Sequence, residues 1–416
     1  MTTAYWHPFS DGHAVDAGGE LSLVRGEGSH VFDADGKRYL DATASLWYCN
    51  VGHGRAEIAD AVAAQIRTLE SYSTFADLTN PAVAELAERL AAIAPVPDSK
   101  VFLTSGGSDS IDTAMKMVRR YWVLRGEPER TVLIRRSGAY HGMHATGTSL
   151  AGIPANAAGY GPLLPDVIEV PWDDADALAD AIDASSGRVA AFFCEPVIGA
   201  GGVYPPPPDY LRSARKICAD AGVLFVADEV ITGFGRTGEW FASGRFDLSP
   251  DLMTCAKGIT SGYVPMGAVI TAPSVWEPFF AEGAGMFRHG YTYSGHAAAA
   301  AAALANLDIM EREGLLARAV DLEAMLTEAL GPLAKHDLVS EVRSGTGVLA
   351  AVQFDPAATQ ADPSLLARAV PALRKHGIMT RMLASGAIQV SPPLVLTDDE
   401  VDELAGGIDA ALTELG

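Results

Sequence analysis

Residues 223–229 read VLFVADE, an apolar run that ends on two carboxylates. Similar apolar runs recur along the middle of the chain, at 131–134 (TVLI), 167–170 (VIEV), 189–195 (VAAFFCE) and 265–271 (PMGAVIT). Between them lie amphipathic stretches such as residues 208–222 (PDYLRSARKICADAG), whose apolar residues keep helical spacing. Apolar strands that alternate with helices predict an α/β fold with a central, mostly parallel sheet covered on both faces.

The ends of these runs carry carboxylates. Glu195 ends one run, and Asp228 lies at the end of another. Open α/β sheets bind their ligands at the carboxyl ends of the strands. We therefore expect both side chains at the edge of the sheet where a ligand binds.

The two ends of the chain have a different pattern. Residues 20–42 predict a hairpin that turns at Asp35-Gly36, and residues 345–355 and 387–396 are strand-like. A helical pattern with Thr397 as its N-cap closes the chain. We predict a large domain at residues 50–310 and a small α+β domain formed by both termini, from residues 1–49 and 311–416.

Composition excludes several classes of function. With 49% hydrophobic and 20% charged residues, the chain has the composition of a folded globular protein. Its net charge of −22 argues against nucleic-acid binding, because a phosphate backbone would be repelled. The most apolar run, residues 297–305, is too short for a membrane span, which needs about twenty residues.

The cysteines and the N-terminal sequence indicate the cellular compartment in which the protein is expected. The first twenty residues have neither the basic nor the apolar segment of a secretory signal. The cysteines are widely separated and are expected to be small buried residues: Cys49, Cys194, Cys218 and Cys255. We expect a cytoplasmic protein without disulfides.

A glycine-rich loop at residues 105–108 (SGGS) precedes a helical pattern. A helix N-terminus offers free N–H groups and a positive dipole end, which suits a phosphate. A plain Ser/Gly cap explains the loop equally well. No His, Asp and Glu spacing resembles a metal site, so His141 and His296 are expected to be structural.

Lys257 lies in apolar company, between residues 253–256 (MTCA) and Gly258-Ile259. A desolvated lysine has a lowered pKa and can attack a carbonyl as a neutral amine. A phosphate loop, an Asp at a strand end and a buried lysine are together what pyridoxal 5′-phosphate (PLP) needs.

Several motifs carry a family resemblance. They are VADEVITGFGRTG (226–238), AKGITSGYVPMGA (256–268), WHPF (6–9), SLWYCNVGHGR (45–55), GAYHG (138–142), FFCEP (192–196), HGYTYSGH (289–296) and SPPL (391–394). In this order and spacing the chain resembles the class III (ω-) aminotransferases, PLP-dependent enzymes of fold type I, and within them the amine/ω-amino acid:pyruvate branch.

The resemblance implies roles for individual residues. Lys257 matches the lysine that forms the Schiff base with the cofactor and moves the proton. Asp228 matches the partner of the pyridine nitrogen. Val230 and Tyr140 match residues that pack on the two faces of the ring, and Glu195 matches a cofactor-site carboxylate.

The same resemblance implies a homodimer, with a tetramer as a further option. Gly107 and Ser108 match the residues that bind the phosphate. Thr292 matches a residue that reaches the phosphate of the partner subunit, so that each active site lies at the interface.

The chain departs from the family pattern in two places. The phosphate loop reads GGSDS at 106–110 instead of SGSEA, which leaves the backbone donors intact. Ala200 occupies the position where ornithine- and GABA-type relatives often carry a Glu that pairs with a mobile arginine. Arg381 resembles that arginine, so we expect it to be free to bind a substrate carboxylate. Trp47 resembles the pocket-wall tryptophan of the amine branch, and Phe75 is expected either to line the same pocket or to pack in the core.

These observations favour a PLP-dependent ω-transaminase. It would move an amino group from a primary amine or ω-amino acid to pyruvate or a similar keto acid by a ping-pong mechanism. Another class III reaction is the alternative: a diaminopelargonate-, taurine- or GABA-type transaminase, an aminomutase or an epimerase. A non-catalytic binding protein on the same fold is the alternative from a different class. A nicotinamide-dependent dehydrogenase lacks a suitably placed GxGxxG motif.

Overall fold

The computed structural model describes residues 4–416, and within them the largest sheet has seven strands. Their spatial order is β4 (Lys100–Thr104), β10 (Gly267–Thr271), β9 (Leu252–Cys255), β8 (Leu224–Asp228), β7 (Val189–Cys194), β5 (Val132–Arg136) and β6 (Val167–Val170). The strands from β9 to β6 are parallel to one another. All residues of β7, β8, β9 and β10 are buried. The predicted α/β fold with a mostly parallel central sheet is confirmed.

One strand of this sheet runs the other way. β10, which covers most of the PMGAVIT run, is antiparallel to both β4 and β9. The connection 256–266 contains only a short 3₁₀ helix, Lys257–Ile259. A parallel return needs a crossover of a dozen or more residues, so this short connection sends the chain back antiparallel.

Helices accompany the large sheet. They are α3 (Ala56–Leu69), α4 (Pro81–Ile93), α5 (Gly107–Leu124), α6 (Ala145–Ser149), α7 (Pro154–Ala157), α8 (Ala175–Ala184), α9 (Tyr210–Asp220), α10 (Ala242–Arg245), α11 (Pro273–Phe280) and α12 (Ala297–Arg312). The alanine run 297–305 forms the first half of α12, where most of the alanines are buried. Among residues 4–416, no helix is both long and apolar enough to cross a bilayer.

Two smaller sheets contain the strands from the ends of the chain. One has the order β1 (Leu23–Glu27), β2 (His30–Asp33), β3 (Arg38–Asp41) and β13 (Ile378–Met379). The other has the order β11 (Val339–Arg343), β12 (Ala350–Phe354) and β14 (Ala387–Val390). β13 pairs with β3 in parallel, so this sheet joins both termini. The domain boundaries at 49/50 and 310/311 stay a prediction, and residues 1–3 lie outside the described part.

The remaining helices lie in the segments at the two ends of the chain. They are α1 (Gly12–Gly18), α2 (Ala44–Trp47), α13 (Leu315–Leu330), α14 (Pro356–Ala361), α15 (Leu365–Lys375) and α16 (Asp398–Leu415), with a 3₁₀ helix at Gly331–Lys335. α16 begins with the predicted Thr397 cap, as a capping box with Glu400. The predicted hairpin turns at Gly36, which has a φ of 81°.

The cysteines behave as predicted from their spacing. All four are buried and carry free thiols. Burial raises the pKa of the Cys194 thiol to about 11, so the thiol stays protonated at neutral pH. These residues act as small apolar side chains in the core.

Candidate active site

A cavity of about 410 Å³ opens at the carboxyl ends of the central parallel strands. Glu195, Asp228 and Lys257 line it, each placed just after or at the end of β7, β8 or β9. The α/β topology therefore brings together three ionisable residues that are far apart in sequence. This is the edge of the sheet at which the sequence predicted a ligand site.

Asp228 is the last residue of β8 and is 3% exposed. Its carboxylate accepts hydrogen bonds from the N–H of Val230 at 3.1 Å, the hydroxyl of Thr254 at 3.1 Å and Nδ1 of His141 at 2.7 Å. These contacts fix the carboxylate at the cavity floor.

His141 belongs to the site, although the sequence interpretation set it aside as structural. It is fully buried, and its ring contacts the carboxylate of Asp228. Its Nε2 is buried with no hydrogen-bond partner among residues 4–416. The sequence signal that could have identified it is its position directly after Tyr140 in the GAYHG motif.

Lys257 begins the 3₁₀ helix that follows β9, and its φ of 45° lies in the left-handed region. A non-glycine residue there costs about 1–2 kcal/mol. The amide of Asn306 stabilises this turn by donating to the carbonyls of Gly258 at 2.9 Å and Ile259 at 3.1 Å. Backbone strain of this kind is common at functional sites, which supports a functional role for Lys257.

The electrostatics make Lys257 easier to deprotonate than an ordinary lysine. Burial lowers the pKa of Lys257 to about 8, although the nearby carboxylates of Asp228 and Glu195 oppose this shift. The guanidinium of Arg381 adds to the lowering of the pKa. A lysine with such a pKa can act as a nucleophile and as a proton carrier.

Glu195 clamps two loops of the cavity. Its buried carboxylate accepts from the N–H of Tyr140 at 2.9 Å and from the N–H of Gly199 at 3.1 Å. Burial raises the pKa of this carboxyl group, and the two backbone donors oppose the shift. The clamp holds Tyr140, which also lines the cavity, in place.

The SGGS loop closes one end of the cavity. Gly107 and Ser108 are the first residues of α5, so their N–H groups have no acceptor within the helix. A Cβ on Gly107 would lie 2.9 Å from Cγ1 of Val230, and one on Gly142 would lie 2.5 Å from Oγ of Ser108. Free donors and glycines that keep the backbone close form an anion-binding cradle.

Asp109 stands in this loop where the family pattern has a Glu, and its carboxylate still contacts both sides of the loop. One carboxylate oxygen accepts from the N–H of Ser105 at 3.2 Å. The other contacts Nε2 of His144 at 2.8 Å. The shorter side chain therefore still closes the loop.

A second group of residues lies beside Lys257. The ring of Trp47 is 4.6 Å from Cζ of Arg381 and 5.2 Å from Nζ of Lys257, measured to its centroid. Arg381 donates from Nε to Oε1 of Gln389 at 2.7 Å. Burial lowers the pKa of the Arg381 guanidinium, and Tyr140 opposes that shift.

Arg381 has no acidic partner in the described chain. Ala200 is half-buried and packs in the apolar cluster that contains Trp47. The carbonyl of Ala200 accepts from the N–H of Ala384 at 3.4 Å. No ion pair of Arg381 occurs within residues 4–416, so no carboxylate of the described chain neutralises its charge.

Four predicted site residues are not among those that line this cavity: Trp47 and Arg381, which lie beside Lys257, and Phe75 and Thr292, which lie in another region. Phe75 is 53% exposed and lines a second cavity with Gly290 and Ser294. Thr292 is exposed in the same region. The segment of Phe75 is held there by Thr74, whose hydroxyl donates to the carbonyl of Ser294 at 2.8 Å. Within one chain, therefore, Phe75 does not share a pocket with Trp47.

The donor set of the cavity does not suit a metal ion. Among residues 4–416, no group of three or more His, Cys, Asp or Glu side chains is arranged to hold one. The cavity instead combines an anion cradle, a fixed carboxylate and a lysine amine. That combination suits a phosphorylated carbonyl compound with a basic ring nitrogen.

Comparisons with known proteins agree with this geometry. A family model described as Aminotransferase class-III matches residues 14–412. The putrescine–pyruvate aminotransferase of Pseudomonas aeruginosa is 38% identical, and the match covers 95% of this chain and 91% of that protein.

Solved structures match over nearly the whole chain. An (S)-enantioselective ω-transaminase from Thermomicrobium roseum superimposes with a TM-score of 0.93 and 39% identity, covering 98% of this chain and 96% of that one. A PLP-bound amine transaminase from an uncultivated Pseudomonas species has a TM-score of 0.92 and 37% identity, with 100% of both chains covered.

Proposed function

The chain belongs to the class III aminotransferases, and on that premise we propose that it transfers an amino group from a primary amine or ω-amino acid to pyruvate or a similar keto acid. The observation that carries this choice of substrates is the position of Arg381. It lies beside Trp47 and Lys257 with no acidic partner in the described chain, available to a carboxylate.

PLP is the cofactor that this family implies, and one matching structure contains it. The residues of the cavity fit that group: the cradle at Gly107 and Ser108 suits its phosphate, and Asp228 suits its ring nitrogen. When bound, PLP supplies an aldehyde carbon for attachment of an amino group and a ring that withdraws electrons. Tyr140 and Val230 line the space between the two anchors.

Lys257 is the group that reacts. Its pKa of about 8 leaves a useful neutral fraction near neutral pH. As a neutral amine, Nζ can attack a carbonyl with loss of water, and once the donor's amino group has displaced it, the freed Nζ takes up the proton that leaves the carbon bearing that amino group. In the second half of the ping-pong cycle it returns a proton to the corresponding carbon of the former keto acid.

Asp228 and His141 act as a pair. The carboxylate of Asp228 stabilises a proton on a facing ring nitrogen, because a nearby negative charge favours the charged form. His141 orients that carboxylate through its contact at 2.7 Å. Because both side chains are buried, the orientation needs no reorganisation during the reaction.

Arg381 and Trp47 bind the substrates. The guanidinium offers a bidentate site for the carboxylate of the keto acid. The apolar ring of Trp47 provides a wall for the uncharged substituent of an amine donor. Pyruvate and an amine therefore use the same space in alternation.

We also propose a homodimer in which each chain completes the site of its partner. Phe75, Leu78 and Met286 line the second cavity together and are 47–71% exposed, and Tyr72 and Tyr293, from the same two segments of the chain, are 65% and 64% exposed. Contiguous exposed apolar surface of this kind favours an interface. Phe75 and Thr292 lie in this region, away from the cavity of their own chain, which supports a role across the interface.

The test begins with the purified protein and its colour. A PLP-loaded lysine makes the protein yellow, and borohydride bleaches it, whereas a colourless protein would contradict the cofactor. A panel of amine donors with pyruvate should then produce alanine in stoichiometric balance with the carbonyl product. Pyruvate-dependent turnover with none of the donors would overturn the proposed function.

Sedimentation tests the dimer separately. The proposal expects one dimeric species at assay concentration, and Thr292→Ala should weaken PLP retention, measured by cofactor fluorescence after dilution. A fully active monomer would contradict it.

A further inference from the structure

We infer that Gln389 is the positioning residue that holds Arg381 at the pocket and leaves the two terminal nitrogens of its guanidinium for a substrate carboxylate. This inference rests on the proposed function, because it takes Arg381 to bind the carboxylate of the keto acid.

Gln389 contacts Arg381 through its main chain and its side chain. It lies in β14 and is fully buried, at 0% exposure. Its N–H donates to the carbonyl of Arg381 at 3.1 Å, and its Oε1 accepts from Nε of Arg381 at 2.7 Å. Both contacts tie the position of the arginine to that of the strand.

The orientation of the Gln389 amide follows from its neighbours. A guanidinium can only donate, so the amide oxygen must face Arg381. The amide nitrogen donates to the hydroxyl of Ser391 at 2.7 Å. A reversed amide would bring two donors together at a buried site, which costs the desolvation of both.

Use of Nε leaves the other edge of the guanidinium open. The two terminal nitrogens have no acceptor within residues 4–416, and the ring of Trp47 lies 4.6 Å from Cζ. A carboxylate binds that open edge with two parallel hydrogen bonds. Gln389 and Trp47 together thus present the fork of the arginine toward the pocket.

The neutral charge of Gln389 suits a pocket that alternates between substrates. A carboxylate at this position would pair fully with Arg381 and compete with the substrate. An apolar residue would leave Nε without an acceptor. A neutral amide orients the arginine but holds it less strongly than an ion pair would, so the arginine can withdraw when an uncharged amine binds.

The experiment uses the holoenzyme with Gln389→Met and Gln389→Glu. Gln389→Met removes the acceptor at similar volume, so KM for pyruvate should rise about five- to thirty-fold with kcat nearly unchanged. Gln389→Glu should raise it at least as much, because its carboxylate competes for the guanidinium. The half-reaction with an arylalkyl amine should change by less than about two-fold in both variants.

Gln353→Met is the matched control. Gln353 lies on β12, the neighbouring strand, and also accepts from an arginine, Nη2 of Arg343 at 2.9 Å. This variant should leave KM for pyruvate unchanged. A second readout is thermal stabilisation by propanoate, which has a carboxylate and no keto group. The stabilisation should be smaller in both Gln389 variants than in the wild type and the control.

A double-mutant cycle separates positioning from a merely structural role. In an Arg381→Ala background, Gln389→Met should cost nothing further, because its effect acts through the arginine. Additive losses, equal losses in both half-reactions or an unchanged KM in both Gln389 variants would overturn the inference.

The failure of the proposed function looks different. A wild-type protein inactive with every keto acid, or an Arg381→Ala variant with an unchanged KM for pyruvate, would overturn the carboxylate site and this inference with it. A raised KM for pyruvate in Arg381→Ala, together with an unchanged KM in both Gln389 variants, would overturn this inference and leave the proposed function standing.

Discussion

The two halves of the active site are held in different ways. On the cofactor side, Asp228 accepts three hydrogen bonds and Glu195 accepts two, from donors that follow or lie in the large sheet. On the substrate side, the only side-chain hydrogen bond of Arg381 within residues 4–416 goes to a neutral amide, and an aromatic ring lies nearby.

The difference matches what each half has to do. Charge develops at the same place in every turnover on the cofactor side, and groups fixed beforehand stabilise it without reorganisation. In the proposed reaction, the substrate side meets a carboxylate in one half-reaction and an uncharged substituent in the other. A loosely held arginine lets a single pocket serve both.

The largest effect should come from removing the reactive amine. Lys257→Ala should abolish transamination with every donor and acceptor, because no other residue replaces the nucleophile and proton carrier. The variant should still fold, as checked by circular dichroism, and can hold PLP without a covalent bond. Half-reaction turnover near the wild-type rate would remove Lys257 from the chemistry.

The next effect concerns the fixed carboxylate. Asp228→Asn keeps the shape and removes the charge, so kcat should fall by about two to four orders of magnitude for both half-reactions. The measurement is single-turnover absorbance with an amine donor and, separately, with pyruvate. An unchanged kcat would mean that Asp228 does not stabilise the ring nitrogen.

Arg381→Ala should slow the half-reaction with pyruvate much more than the half-reaction with an amine. The kcat/KM for pyruvate should fall roughly ten- to a thousand-fold, the range for a charge-assisted bidentate contact. The half-reaction with a plain arylalkyl amine should change by only a few-fold. Equal losses in both would show that the substrate side is as fixed as the cofactor side, and would contradict the comparison above.

The smallest effect is a pH dependence of stability in the apoprotein. Because the pKa of Lys257 is lowered to about 8, the unfolded chain binds more protons than the folded one between pH 8 and about 10.5. Stability conferred at this site therefore rises with pH in that window. Calorimetry should show the melting temperature of the wild type increasing relative to Lys257→Met from pH 8 upward, and a constant difference would contradict the shift.

The sequence predicts the cofactor side better than the substrate side, for a physical reason. Asp228 and Glu195 follow apolar strands, and the parallel topology brings strand ends to one edge. Lys257 is recognisable because a charge among apolar residues is unusual. Each of these signals is local in the sequence.

The substrate side depends on contacts between distant segments. Trp47 follows β3 and Arg381 follows β13, two paired strands from opposite ends of the chain, and only the family resemblance suggested these residues. Gln389 appears in the sequence as one polar residue in a buried strand, with nothing to indicate its partner. His141 was missed because its hydrogen bond to Asp228 joins residues 87 positions apart.

The direction of β10 shows a different limit. Its apolar run predicts a buried strand, but the run itself contains no information on direction. The length of the connection 256–266 decides that. The same short connection contains the turn at Lys257, so the strand reversal and the position of the lysine arise together.

The parallel pairing of β13 with β3 has a consequence for how the chain is made. During synthesis, Ile378 emerges from the ribosome 337 residues after Asp41. The strand β3 therefore stays without its partner β13 through most of translation. A chain interrupted before that point keeps β3 as an open edge, which invites pairing with other chains. Arg381, which we propose binds the substrate carboxylate, lies two residues after the end of β13. A chain interrupted before β13 would therefore lack the proposed carboxylate site as well as the protected edge.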